Sequence, residues 1–170
     1  MDLKVFIKDV PDYPKPGIIF KDITPLLGNR GAFKFAIDAL AENFKNKGID
    51  IVVGIDARGF LLAAPVAYKL GAGIVIVRKP GKLPRKSIQE AYDLEYSSNI
   101  LQMHDDAIKA GQNVLIVDDV LATGGTMEAT CKMVKKLNGK IAGIGFLIEL
   151  GFLNGGDRLK DFEIFSLIKY

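Results

Sequence analysis

The sequence predicts an α/β fold with a mainly parallel central sheet flanked by helices, formed by a single domain over residues 1–170. Two observations carry this. Ile51–Ile55, Ile74–Val77 and Val114–Val117 are short runs rich in β-branched residues. Each is apolar continuously rather than at alternate positions, the pattern of strands buried on both faces. Stretches with helical spacing stand between the runs on short connections, and that alternation builds a parallel sheet wound right-handedly. Length agrees, since 170 residues can bury roughly 70% of the unfolded surface around one core.

Composition narrows the class. Hydrophobic and charged fractions of 49% and 25% are those of an ordinary soluble protein. A net charge of +3 with a pI near 8.9 suits a small anionic ligand better than nucleic acid. The N-terminal MDLKVFIKDV is interrupted by charges and offers no signal-peptide core. Phe60 to Val77 is apolar, but Pro65, Lys69, Gly71 and Gly73 divide it into a helix and a strand, not a membrane span. We therefore expect a cytoplasmic protein with neither membrane nor nucleic-acid partners. The single cysteine excludes an internal disulfide, and Cys131 shares an apolar helix face with Met127, Val134 and Leu137, a structural role.

Taken in order, residues 1–30 hold Pro11, Pro14, Pro16 and Pro25, which prevents a long helix and predicts an irregular cap. Within it, Pro16 to Phe20 reads as a turn leading to a core strand. Phe33, Ala36, Ile37, Leu40 and Phe44 recur at helical spacing, and Gly48 ends that pattern. After the strand Ile51–Ile55, Asp56-Ala57-Arg58-Gly59 opens a helix running to about Leu70. Asp56 and Arg58 read either as a local ion pair and cap or, with the helix-start amides, as a grip on a diphosphate. Beyond Ile74–Val77, five cations (Arg78, Lys79, Lys82, Arg85, Lys86) crowd together with Pro80, Gly81 and Pro84. They open a segment expected to lack regular structure until about His104, a long flexible loop of the kind that serves as a lid. Glu95 within it reads by default as a solvent-facing residue, and His104 is expected to start a helix. Further on, Thr126 to Leu137 predicts a helix ended by Gly139, and Ile141–Leu150 and Phe162–Leu167 the last strands. There is no repeat, low-complexity segment or linker.

The chemistry concentrates in Asn113 to Met127. Asp118 and Asp119 end the apolar run, where open α/β sheets place their ligands, and Ala122, Thr123, Gly124, Gly125 and Thr126 turn into the next helix. Glycines let backbone amides approach phosphate oxygens, while ionised carboxylates only accept hydrogen bonds, as a ribose diol requires. Bare phosphate would not call for the acids, so the pair and the turn together suit a phosphorylated sugar. A loop-capping pair beside a tight turn is the alternative. Other phosphate motifs fit worse: a P-loop needs a Lys after its last Gly, whereas Thr126 and Met127 follow Gly125, and no Gly-x-Gly-x-x-Gly occurs.

Val117 to Thr126 (VDDVLATGGT) resembles the phosphoribosyl-diphosphate motif of the type I phosphoribosyltransferases, most closely its adenine-specific members. Tyr13 to Leu27 (YPKPGIIFKDITPLL), Gly54 to Phe60 (GIDARGF), Arg78 to Pro84 (RKPGKLP) and Leu94-Glu95-Tyr96 resemble segments of the same enzymes in the same order. The resemblance implies the type I phosphoribosyltransferase fold with residues 1–30 as a hood. It implies the conversion of adenine and phosphoribosyl diphosphate to AMP and diphosphate with Mg²⁺, in a homodimer. By resemblance Asp118, Asp119 and Ala122 to Thr126 bind the sugar phosphate, with Asp56, Ala57, Arg58, Arg78, Lys79 and Lys82 on the diphosphate. Ile19 and Phe20 sandwich the base, which the backbone at Ile19 and Lys21 reads. Glu95 is then the catalytic carboxylate beside Tyr96 in the mobile loop. A cis peptide is expected at Asp56-Ala57, and Mg²⁺ is expected on substrate oxygens and water rather than on a protein cage. Two positions depart from the pattern: Lys21 where relatives more often have Arg, and Gln102 where they usually have Glu. Gln102 cannot act as acid or base, which leaves Glu95 alone in that role. The alternatives are a xanthine or guanine enzyme, or a purine-responsive regulator of the same fold without turnover.

Overall fold

The computed structural model describes residues 1–94 and 97–170. The chain opens with a hairpin of β1 (Lys8–Pro11) and β2 (Ile19–Asp22), antiparallel from Lys8↔Asp22 to Pro11↔Ile19. The prolines exclude a helix here as expected, yet the cap is regular: Asp12, at φ 57°, accepts the Gly17 amide at 2.7 Å and closes the turn. A short α1 (Thr24–Gly28) buries Leu26. Asn29 then caps α2 (Arg30–Phe44), its side chain accepting the amides of Gly31 and Ala32 at 3.0 and 2.9 Å. The face of α2 that the sequence spacing marks, Ala36, Ile37, Leu40 and Phe44, is buried.

The rest builds β3 (Ile51–Ile55), α3 (Arg58–Leu70), β4 (Gly73–Val77), β5 (Ser87–Leu94), β6 (Ser97–His104), β7 (Asn113–Leu121), α4 (Gly125–Lys136), β8 (Lys140–Glu149) and β9 (Ile164–Lys169). Five of these strands form one parallel sheet in the order β4-β3-β7-β8-β9. Continuous apolar runs follow from its two covered faces. Leu115 and Val117 of β7 join the α2 and α3 side, while Val114 and Ile116 join Met127, Cys131, Met133 and Val134 of α4. Each such side chain taken from water is worth roughly 1.5–3 kcal/mol. Burial pushes the Cys131 thiol up to about 12, so it stays protonated, in keeping with its structural reading.

Further expectations are corrected. Residues 87–94 and 97–104 do not lack regular structure: β5 and β6 pair antiparallel from Ser87↔His104 to Leu94↔Ser97. Leu101 and Met103 alternate inward with Gln102 between them, and Ile88 and Tyr92 pack on the same core, a period of two that the neighbouring charge cluster obscures. His104 starts no helix. Turns follow it, and its Nδ1 meets the Lys86 carbonyl at 3.2 Å across the open end of the hairpin.

The strand β7 also outruns its apolar stretch. Pairing with β3 stops at Gly54↔Val117, but pairing with β8 continues through Asp118↔Phe146 to Leu121↔Glu149. The acidic pair therefore sits inside the strand at the place where it has lost one neighbour. Chain order runs outward from β3 on one side and from β7 on the other, so the crevice at their carboxyl ends is the topological switch point. Among the described residues no helix is long and apolar enough to cross a membrane.

Candidate functional site

Arg58 is the hub of this crevice. It begins α3, and its Nε lies 2.7 Å from Asp119 Oδ2. Its Nη1 donates to the Lys21 carbonyl at 3.4 Å, and its guanidinium stands 4.6 Å from the Phe20 ring centroid. One side chain thus joins the acidic pair to the hairpin. The contact with Asp119 is an ion pair whose direction is not that of a hydrogen bond, so Oδ2 remains buried without a hydrogen-bond partner. That buried oxygen therefore depends on the Arg58 charge for its compensation.

Asp118 is held closely. Its Oδ1 accepts the Asp119 amide at 2.9 Å. Gly59 passes directly over it, and a Cβ there would lie 2.7 Å from the same oxygen. Burial, reinforced by the neighbouring Asp119 charge, pushes the Asp118 carboxyl well above the usual range. Burial also raises Asp119, with the Arg58 guanidinium opposing it.

Asp56 and Arg58 do not pair with each other. Asp56 accepts from Arg78 Nε at 3.1 Å and from the Lys79 amide at 3.5 Å. Burial favours its neutral form, but the bonds to Arg78 and Lys79 prevail and hold it below the usual range. The Asp56-Ala57 peptide is cis, as the resemblance led us to expect. Lys79 and Lys82 are exposed at the rim. Gln102 organises this basic turn: its backbone pairs with Arg78 in both directions, and its Oε1 accepts the Gly81 amide at 3.2 Å. No local sequence signal marks that contact, because it depends on β6 lying beside residue 78.

The glycine turn ends β7 as expected. Gly124 adopts φ 84° and its carbonyl accepts the Glu128 amide at 2.9 Å, so the helix proper begins at Gly125. Amides in the first turn then have no partner within the helix, and with the exposed Thr123 and half-buried Ala122 and Thr126 they form a donor-rich rim. On the hairpin, Ile19 is 55% exposed and available to a flat ligand, whereas Tyr13 meets Phe20 edge-on at 5.1 Å. The Lys21 ammonium turns away to Asp9 at 2.7 Å and lies 3.9 Å from the Tyr170 ring centroid, leaving its carbonyl toward Arg58. The departure from Arg is thereby accommodated in the hairpin's support. Glu95 and Tyr96 lie outside the described residues. Among the described residues no three His, Cys, Asp or Glu side chains gather as a metal cage.

Residues 27–168 match the family model described as the phosphoribosyl transferase domain. Solved structures extend the likeness over nearly the whole chain. The adenine phosphoribosyltransferase of Thermoanaerobacter pseudethanolicus is 48% identical, with a TM-score of 0.97 over 99% of this chain and 98% of that one. That of Rhodothermus marinus is also 48% identical, at 0.95 over 99% and 96%. The Saccharomyces cerevisiae enzyme, complexed with an imino-altritol bisphosphate and adenine, is 40% identical, at 0.92 over 98% and 96%.

Proposed function

This chain belongs to the phosphoribosyltransferase family and, within it, to the adenine phosphoribosyltransferases, and from that premise we propose how its residues form AMP and diphosphate from adenine and phosphoribosyl diphosphate. The observation that carries the reading is Arg58, which touches both the acidic pair and the hairpin at the switch point. A reaction joining a base to a sugar phosphate needs those two subsites adjacent.

Ala122 to Thr126 hold the 5-phosphate through backbone amides and hydroxyls. Asp118 and Asp119 accept the ribose hydroxyls, with Arg58 beside Asp119 to support its charge. Arg58, Arg78, Lys79 and Lys82, with the Asp56-Ala57 turn, stabilise the departing diphosphate as the anomeric carbon gains positive charge. Ile19 and Phe20 hold adenine flat, and the backbone at Ile19 and Lys21 reads its edge. Glu95 shares a proton at purine N7 while N9 attacks. Mg²⁺ would be held mainly by diphosphate oxygens and water, in keeping with described residues that gather no carboxylate cage. When bound, it neutralises leaving-group charge.

The apolar face that α3 and β4 leave outward, with Leu61, Tyr68, Ile74 and Ile76 exposed at the sheet edge, supports a homodimer, and the cytoplasm is the compartment in which it works. A buried carbonyl facing the 6-position would oppose the oxo group of hypoxanthine or guanine acceptor to acceptor, which favours adenine. The test is direct formation of the nucleotide from adenine, hypoxanthine, guanine and xanthine. AMP formed with a specificity constant far above the others is expected. Equal constants would defeat the base assignment, and no turnover with any base would leave the regulator.

A further inference from the structure

We infer that Gly155, thirty residues beyond the phosphate loop, is a positioning residue that sets the orientation of that loop's peptides. The inference rests on the reading of Ala122 to Thr126 as the sugar-phosphate loop. Residues 150–159 run behind the loop as a strap fixed at both ends. The Leu150 amide donates to the Leu121 carbonyl at 2.9 Å, just before the loop, and Arg158 bonds Glu128 at 3.0 Å, just after it. Leu159 is buried in the core beside α4, and the Gly151 amide donates to the Tyr170 carbonyl at 2.9 Å.

Between these anchors Gly155 is buried with backbone against backbone. A Cβ on it would fall 2.1 Å from the Ala122 carbonyl oxygen and 2.9 Å from the Gly124 nitrogen, and a Cβ on Gly124 would fall 2.4 Å from the Gly155 carbonyl oxygen. Gly155 does not have a left-handed φ, so contact alone, not conformation, requires glycine. The Ala122 carbonyl is thus pinned toward the strap. In a planar trans peptide the next N–H points the opposite way, which turns the Thr123 amide outward, to the side where a phosphate would lie. Residue 155 contacts no ligand itself; it decides where the donors aim.

The test compares Gly155→Ala with Gly156→Ala, whose added methyl meets nothing within 4 Å. For Gly155→Ala we expect AMP affinity by calorimetry to fall at least tenfold, the KM for phosphoribosyl diphosphate to rise in step, and the KM for adenine to stay unchanged. In the ligand-free protein, amides 123–128 should exchange faster in Gly155→Ala, while Gly156→Ala matches the unmutated protein in every respect. A folded Gly155→Ala with unchanged loop exchange and AMP affinity would overturn the inference. Failure of the unmutated protein to bind AMP strikes at the functional reading instead, and the ligand-free exchange still decides the positioning role. Should Gly155→Ala not fold, the unmutated protein supplies the answer: on AMP addition, amides 153–159 should gain protection together with the loop, and protection confined to the loop would refute it.

Discussion

The end of β7 and the β5–β6 hairpin are held in different ways. Asp118, Asp119 and the glycine turn are fixed from several sides: β8 pairs alongside, Gly59 presses from above, Arg58 bridges across, and Gly155 closes from behind. The hairpin rests on the core through Leu101 and Met103 of β6 and Ile88 and Tyr92 of β5, while the contacts at its open end are surface ion pairs, Arg85 to Asp106 and Lys86 to Asp105. Buried, crowded groups hold a fixed geometry, which binding requires. Surface pairs are each worth roughly 0–1 kcal/mol, so on the proposed reading the hairpin is the element expected to close over the substrates.

That contrast can be broken most severely at Glu95. Glu95→Leu should slow the chemical step roughly 10² to 10⁴-fold, the span of positioned acid–base groups, with AMP affinity and thermal stability unchanged. Single-turnover measurement checks it, since loop opening can mask chemistry in the steady state. A chemical rate equal to the unmutated one would remove Glu95 from the mechanism.

A smaller effect should separate the two kinds of ion pair. Arg58→Gln removes the cation beside a buried carboxylate. Partial exposure of the guanidinium reduces the penalty to about 1–3 kcal/mol in urea unfolding. Arg85→Gln should cost less than about 1 kcal/mol. Equal losses would erase the distinction between the regions.

The smallest effect has an instructive sign. Because the folded-state pKa of Asp118 is raised, the unfolded chain releases this proton first as pH climbs, and stability falls through the interval between the two values. Asp118→Asn keeps an oxygen for the Asp119 amide and removes that penalty. It should melt slightly higher than the unmutated protein at neutral pH, and the gain should vanish below the ordinary Asp value near 3.8. A gain that grows toward acid would contradict the assignment.

The same contrast explains what was legible in the sequence. Val114 to Thr126 declares itself because its signals are local: an apolar run, two acids and adjacent glycines within thirteen positions. Even so, apolarity stops at Val117 while the strand continues on pairing with β8, which no local pattern reports. Ile51–Ile55 and the helix end near Leu70 are legible for the same reason. The β5–β6 hairpin is not, because five cations and three turn-forming residues dominate positions 78–86 and overshadow the alternation of Leu101 and Met103. Partners distant in the chain are the least legible. Nothing near Arg58 announces Asp119, nothing near Gln102 announces Gly81, and Gly155 looks like any loop glycine until the Ala122 carbonyl is set against it.

The most direct test of the binding half is calorimetric titration of AMP into the Asp118→Asn, Asp119→Asn double variant, with folding verified by thermal melting. Loss of about 1.5–3 kcal/mol of affinity for each charge-assisted hydrogen bond removed is expected, with adenine binding little changed and the fold intact. Undiminished AMP affinity in a folded double variant would contradict the assignment of the β7 terminus to the ribose.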